Sequence, residues 1–293
     1  MKKVIIIISM VILLAAFGMA QSWSTNSTNT STHTNSITNT SGYTINISYK
    51  SGIGHYLVSS NGMTLYYFTE NVDGKTFNGS YFNFWSPFYV SQISVPKGLN
   101  PKDFSVVTGG NGKPQISYKG WPLYYYIGDS KPGETNGQGF KGLWYVMKPD
   151  YTVMIATNSK IGNYLVNADG MTLYYLQGET INDLKCNGMC LSFWPAFNVS
   201  EIVVPSGLKA SYFKIFTGVD GKSQMSYDGL PLHYFIRDAK RGDITGNNLR
   251  DPFGLWHAVL LNSQTSAQQS TTSNNTNTSS QANTSVPSYN SGY

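Results

Sequence analysis

The sequence predicts an all-β protein built from tandem, four-stranded antiparallel meanders. Three observations predict it: an internal duplication, short runs of β-branched and aromatic residues, and Gly-containing turn dipeptides between those runs. The duplication reads directly from the chain. "YTINISYKSGIGHYLVSSNGMTLYYF" from Tyr43 matches "YTVMIATNSKIGNYLVNADGMTLYYL" from Tyr151, and "SYKGWPLYYYIGDSKPGE" matches "SYDGLPLHYFIRDAKRGD". Trp144 then matches Trp256 after a short insertion near Arg250. Module 1 therefore spans residues 43–150 and module 2 residues 151–262. Each module also echoes itself, Gly62 with Gly120 and Gly170 with Gly229, so four quarter-repeats follow one another.

Taken in order, "HYLVSS", "MTLYYF", "FSVVTG", "QISY", "PLYYYI" and "LWYVM" have strand composition, and none holds a helical period for long. Asn61-Gly62 and Asp169-Gly170 separate two such runs, a strong hairpin signal. Lys119-Gly120 and Asp228-Gly229 occupy the matching place in the second half of each module. A first meander would start strands near Tyr43, His55, Met63 and Phe84. Four meanders suggest a small four-bladed propeller, and two modules suggest paired β-sandwiches or barrels. In "PLYYYI", side chains alternate across the strand, so Leu123 and Tyr125 face one way and Tyr124 and Tyr126 the other. Rings on both faces suit a strand packed on both sides.

The ends differ in character. Residues 1–20 carry Lys2 and Lys3, an apolar run from Val4 to Ala20 and small residues at Gly18 and Ala20, the layout of a secretory leader. Left uncleaved, this segment would be a membrane anchor. Residues 21–42 and 263–293 are Ser/Thr/Asn-rich and too polar to bury a core, so they are expected to be disordered. Acceptor sequons occur at Asn26, Asn29, Asn39, Asn46, Asn78, Asn198, Asn274, Asn277 and Asn283, which suits an extracellular or cell-surface glycoprotein. Charged residues make up 12% of the chain with a slight basic excess and no basic stripe, which argues against a nucleic-acid partner. Cys186 and Cys190 are expected to form a local disulfide.

The line Tyr-x-(Phe/Trp/Tyr)-x-x-Asp resembles the signature of a family of exported repeat proteins, many of them lipoproteins, with no established biochemical function. Tyr124, Tyr126 and Asp129 match it fully; His233, Phe235 and Asp238 match with histidine in place of the first tyrosine. The other quarters hold Asn71 and Glu179 at the aspartate position. Cys186 and Cys190 ahead of Trp194-Pro195 are similar to the family's cysteine pair, and module 1 has Phe77 and Tyr81 there. The resemblance implies an extracytoplasmic repeat protein and no reaction. No cysteine follows the leader, so this chain lacks the family's lipid attachment point.

These residues admit several chemistries. Asp129 and Asp238 open turns whose amides an aspartate can accept. Asp238, Asp243 and Asn247 could supply oxygens to calcium, although Lys240 and Arg241 sit in the same loop. Asp129 with Glu134, or Asp238 with Asp243, would make a glycosidase pair only across a cleft. His233 and His257, with Met225 as a third ligand, could bind copper or zinc if their strands were neighbours. No nucleophile elbow, phosphate loop or HExxH occurs. The reading is a non-enzymatic secreted or surface protein with no predicted cofactor, binding cell-envelope components or glycans or serving as envelope structure. The alternative is an extracytoplasmic metal-binding or electron-transfer protein.

Overall fold

The computed structural model describes residues 42–261 apart from residue 78. The expected leader (1–20), residues 21–41, the 263–293 segment and the sequons at Asn26, Asn29, Asn39, Asn78, Asn274, Asn277 and Asn283 lie outside the described residues. Of the remaining sequons, Asn198 faces solvent and Asn46 lies partly buried on the first strand.

The protein is all-β. Module 1 contributes β1 (Ile45–Lys50), β2 (Gly54–Ser59), β3 (Tyr66–Phe68), β4 (Trp85–Pro87), β5 (Phe104–Thr108), β6 (Pro114–Tyr118), β7 (Trp121–Pro122), β8 (Tyr124–Tyr126) and β9 (Trp144–Val146). Module 2 contributes β10 (Val153–Asn158), β11 (Gly162–Asn167), β12 (Tyr174–Leu176), the one-turn helix α1 (Cys190–Phe193), β13 (Phe213–Thr217), β14 (Ser223–Tyr227), β15 (Leu230–Pro231), β16 (Leu249–Asp251) and β17 (Gly254–Ala258).

These strands form small antiparallel sheets in matching sets, and none of the sheets closes into a barrel. Module 1 has β1–β2, β5–β6–β7 and β4–β8–β3–β9; module 2 has β10–β11, β13–β14–β15 and β12–β17–β16. The duplication extends to register: Ile45 faces Ser59 as Val153 faces Asn167. The quarters of a module interlock, because β3 from the first quarter pairs with β8 and β9 from the second. Strands of three residues offer few ladder bonds alone, and central placement between two neighbours supplies the rest.

The turn dipeptides sit where expected. The Asn61-Gly62 and Asp169-Gly170 turns lead from β2 and β11 into the bridges Val58–Thr64 and Val166–Thr172. Lys119-Gly120 and Asp228-Gly229 link β6 to β7 and β14 to β15. Both residues of each pair have positive φ (47° and 77°; 50° and 78°), as tight hairpin turns of the primed kind require.

The alternation in "PLYYYI" divides the interior. Leu123 and Tyr125 pack into a central cluster that draws residues from both modules, Tyr67, Trp121 and Tyr145 from one and Tyr151, Ile155 and Leu165 from the other. Tyr124 and Tyr126 point instead into a separate aromatic cluster around Trp85 and Trp144. Module 2 repeats the division, with Leu232 and Tyr234 on the central side and Phe235 in a second satellite around Trp194 and Trp256.

A half-buried arginine ties the modules together. Arg241 occupies the place of Pro132, and its guanidinium reaches across to donate to Val72 O and Lys119 O, lying 4.9 Å from the centre of the Trp121 ring. Burial lowers its pKa to about 10, which leaves it charged at neutral pH. Trp121 Nε1 donates to Ala168 O at 2.9 Å alongside. Gly120 borders this contact so closely that an added Cβ would fall 1.5 Å from Arg241 Nη1, whereas nothing lies within 4 Å of the corresponding point at Gly229. Gly229→Ala should therefore cost only its left-handed backbone strain, about 1–2 kcal/mol. Gly120→Ala should cost clearly more, because the guanidinium must also leave its carbonyls; urea unfolding of the two variants measures the difference.

Candidate functional site

Each module buries a pair of stacked indoles. Trp85 on β4 and Trp144 on β9 lie 3.8 Å apart with planes 2° from parallel; Trp194, just after α1, and Trp256 on β17 lie 3.9 Å apart at 7°. The motif's second aromatic residue covers the outer indole in both copies, Tyr126 over Trp85 at 4.4 Å and Phe235 over Trp194 at 4.1 Å. The copies differ at the indole N–H groups. Asp251 of module 2 accepts from Trp194 Nε1 at 2.7 Å and from Trp256 Nε1 at 3.3 Å, while Trp85 Nε1 and Trp144 Nε1 are buried without a protein partner.

The motif aspartates are internal fasteners. Asp129 Oδ2 accepts from Tyr66 OH at 2.6 Å and Asp238 Oδ2 from Tyr174 OH at 2.6 Å, both buried. The other carboxylate oxygens hold the following loops through Asn136 N (2.8 Å) and Thr245 N (3.0 Å). Burial raises both carboxyls above their ordinary range, with the phenol and amide donors opposing it. Glu134 and Asp243 accept amides within the same turns, from Ser130 and Lys131 and from Ala239 and Lys240. Neither Asp129 with Glu134 nor Asp238 with Asp243 faces its partner across a cleft, and Asp238, Asp243 and Asn247 turn their oxygens to amides, a phenol and a hydroxyl of the chain.

The first motif position shows a paired exchange between copies. In module 1, Tyr124 OH donates to Asn71 Oδ1 at 2.9 Å, a neutral contact. In module 2, the same two places hold His233 and Glu179, with Nε2 and Oε2 3.0 Å apart and both side chains 1% exposed. His233 Nδ1 lies 3.1 Å from Trp194 O, which can only accept, so that nitrogen carries a proton. Burial alone would raise the Glu179 carboxyl, but His233 and the Cys186 and Lys185 amides outweigh it and hold the carboxyl below its ordinary range.

His257 is not part of this arrangement. Its neighbour Trp256 contacts the His233 ring, and alternation along β17 turns His257 to the opposite face, beside Tyr175 and bonded to Asn248 Oδ1 at 2.9 Å. The structure thus does not bring His233 and His257 together. Among the described residues no group of three or more His, Cys, Asp or Glu side chains converges in metal-binding fashion.

Module 2 adds a cavity at this end. Cys186 and Cys190 form the expected disulfide, with the Cys186 amide bound by Glu179. Closing so short a loop stabilises by about 2 kcal/mol and fixes where α1 begins. Opposite it, the insertion places Arg250, Asp251 and Pro252 before Phe253, and Asp251 Oδ1 also caps the Phe253 and Gly254 amides. Between them lies a cavity of about 520 Å³ walled by Met189, Phe193, Phe235, Leu249, Pro252 and Phe253, with Arg237 and Arg250 at its rim. Met189 is 72% exposed and Phe193 41%, so both present apolar surface to the cavity. In module 1 the Phe77 and Tyr81 rings replace the cysteines and pack on Phe68 and Trp144.

A larger cavity of about 640 Å³ lies between the modules, bordered by Glu70, Asp73, Lys75, Lys240, Arg241 and Asp243. Most of its charges are answered by the protein itself: Lys75 pairs with Asp73 at 2.9 Å, Asp243 holds two amides and Arg241 is turned beneath Lys119. The 520 Å³ cavity is the better binding site on its chemistry, apolar walls with a few polar groups at the mouth. Sequence reasoning missed Met189, Phe193, Phe253, Arg237 and Arg250. The available signal was the departure between copies, Arg237 where module 1 has Gly128 and an insertion with no counterpart.

No curated protein and no solved structure matches the chain. Residues 105–148 and 214–260 match the model of a family described as a secreted repeat of unknown function, one match in each module. The matched segments hold β8 with Asp129 and Trp144 in the first copy, and Phe235, Asp238 and Trp256 in the second. Each module of this all-β chain thus carries one segment similar to that secreted repeat, and each segment supplies the motif aspartate and the second indole of its module.

Proposed function

We propose that the protein is a non-enzymatic binding protein outside the cell, and that its ligand enters the module 2 cavity between the disulfide loop and the Arg250 insertion. The observation that carries this reading is the asymmetry of the duplication. Both copies keep the framework of indoles and motif aspartates, and both expose a phenylalanine before the outer indole (Phe84 and Phe193), yet the second alone has a disulfide-braced wall, an inserted loop and an exposed Met189 around one cavity. A duplicated framework needs none of these additions to fold, since module 1 lacks them. The cavity volume lies in the range that encloses small ligands.

The test is binding of a neutral, environment-sensitive apolar dye to the secreted full-length chain. Saturable binding at one site is expected, weakened at least tenfold by Phe193→Asp, a change at a half-exposed side chain that the fold should tolerate. Failure of the dye to bind, or equal binding to the variant, overturns the reading.

A further inference from the structure

The geometry points to a ligand class for this cavity: an amphiphile with an apolar body and a single carboxylate head, held at the mouth by Arg237 and Arg250. This rests on the binding reading above and adds the chemistry of the ligand to it.

The apolar walls select the body, and the charges at the rim select the head. Asp251 is the acid among the lining residues, and its carboxylate is turned inward: Oδ2 takes Trp194 Nε1, and Oδ1 takes Trp256 Nε1 and the Phe253 and Gly254 amides. Its oxygens are thus taken up by the chain, and no ion pair joins it to either guanidinium. Among the described residues neither the Arg237 nor the Arg250 guanidinium has an ion pair or hydrogen bond, and both residues are exposed. The mouth therefore carries two unanswered positive charges above an apolar floor. Each guanidinium presents paired N–H donors in a plane that matches a carboxylate.

Solvated arginines are common on surfaces and by themselves carry nothing. What singles these out is their arrival together with the cavity. Gly128 stands in module 1 where Arg237 stands in module 2, and Arg250 belongs to the insertion that builds the wall. A cation or a neutral polar group gains nothing from this rim, and a fully apolar ligand leaves both charges unused.

Three amphiphiles of equal chain length separate these cases: decanoate, decanol and decyltrimethylammonium, titrated against the full-length chain by displacement of the neutral dye. Decanoate is expected to bind at least tenfold more tightly than decanol and more tightly still than the cation, with the advantage shrinking at high salt. Arg237→Gln with Arg250→Gln should abolish that advantage, bringing decanoate down to the affinity of decanol in the same variant. Equal binding of decanoate and decanol, or an advantage that survives in the double variant, overturns the ligand class while the dye result leaves the cavity reading standing. Absence of dye binding to the unaltered chain overturns both.

Discussion

Replacing Glu179 with alanine is expected to destabilise the protein by about 3–5 kcal/mol, because it leaves the buried His233 ring and two backbone amides without their carboxylate. His233→Ala should cost a similar amount by stranding the carboxylate. The informative variant is the double exchange Glu179→Asn with His233→Tyr, which installs the neutral pair found at Asn71 and Tyr124. It should recover most of the loss, since a pair that is costly to break one side at a time can be exchanged whole at little cost. The pair also carries a pH signature. The carboxyl is held below the ordinary glutamate value of 4.5, so its contribution is present above that pH and is lost as pH falls through the lower folded value. Asp129 and Asp238 act with the opposite sign. Their raised carboxyls keep a proton that the unfolded chain has released above 3.8, so they favour the folded state at low pH and lose that advantage as pH rises. Comparing the unaltered chain with the double exchange removes the aspartate part, and the difference in denaturant midpoint should shrink on acidification below pH 4.5.

Trp194→Ala is expected to cost about 3–5 kcal/mol, the usual penalty for emptying a large aromatic site. Trp194 lies between Phe235 and Trp256 and also donates to Asp251, so its removal undoes the stack and frees the inserted loop. Phenylalanine separates these two effects. Trp194→Phe keeps a ring in the stack and strands one Asp251 oxygen, for about 1–3 kcal/mol. Trp85→Phe in module 1 deletes an N–H that has no protein partner, so only the ring-size difference should register. Thermal or urea unfolding reads the order of the three variants. Dye binding should weaken in Trp194→Phe and stay unchanged in Trp85→Phe, since only the former touches the loop that walls the cavity.

Much of the scaffold was legible because its signals are local. The match of Tyr43 with Tyr151 imposed equal registers on the two hairpins, and the "PLYYYI" alternation correctly placed Leu123 and Tyr124 on opposite faces. What stayed hidden depends on partners distant in the chain. β3 is three residues long, too short for a period to reveal that it pairs with β8 and β9. Arg241 read as a loop charge beside Lys240, and only the fold brings Lys119 O beneath it. Glu179 and His233 each read as a departure from a motif, and their contact required both quarters of module 2 to be in place. The cavity was least legible, because Met189, Arg237 and the inserted Arg250–Pro252, which shape it, have no like counterpart in the first copy.

The central cluster shared by both modules has a consequence for how the molecule comes apart. Severing the chain between residues 150 and 151 would bare Tyr67 and Tyr145 on one fragment and Tyr151 and Ile155 on the other, and would strip Arg241 and Trp121 of their acceptors. Neither half is then a free-standing building block, despite the near-identity of their strand plans. Heat should melt residues 42–261 in a single calorimetric step, and the halves made separately should rescue one another only when mixed.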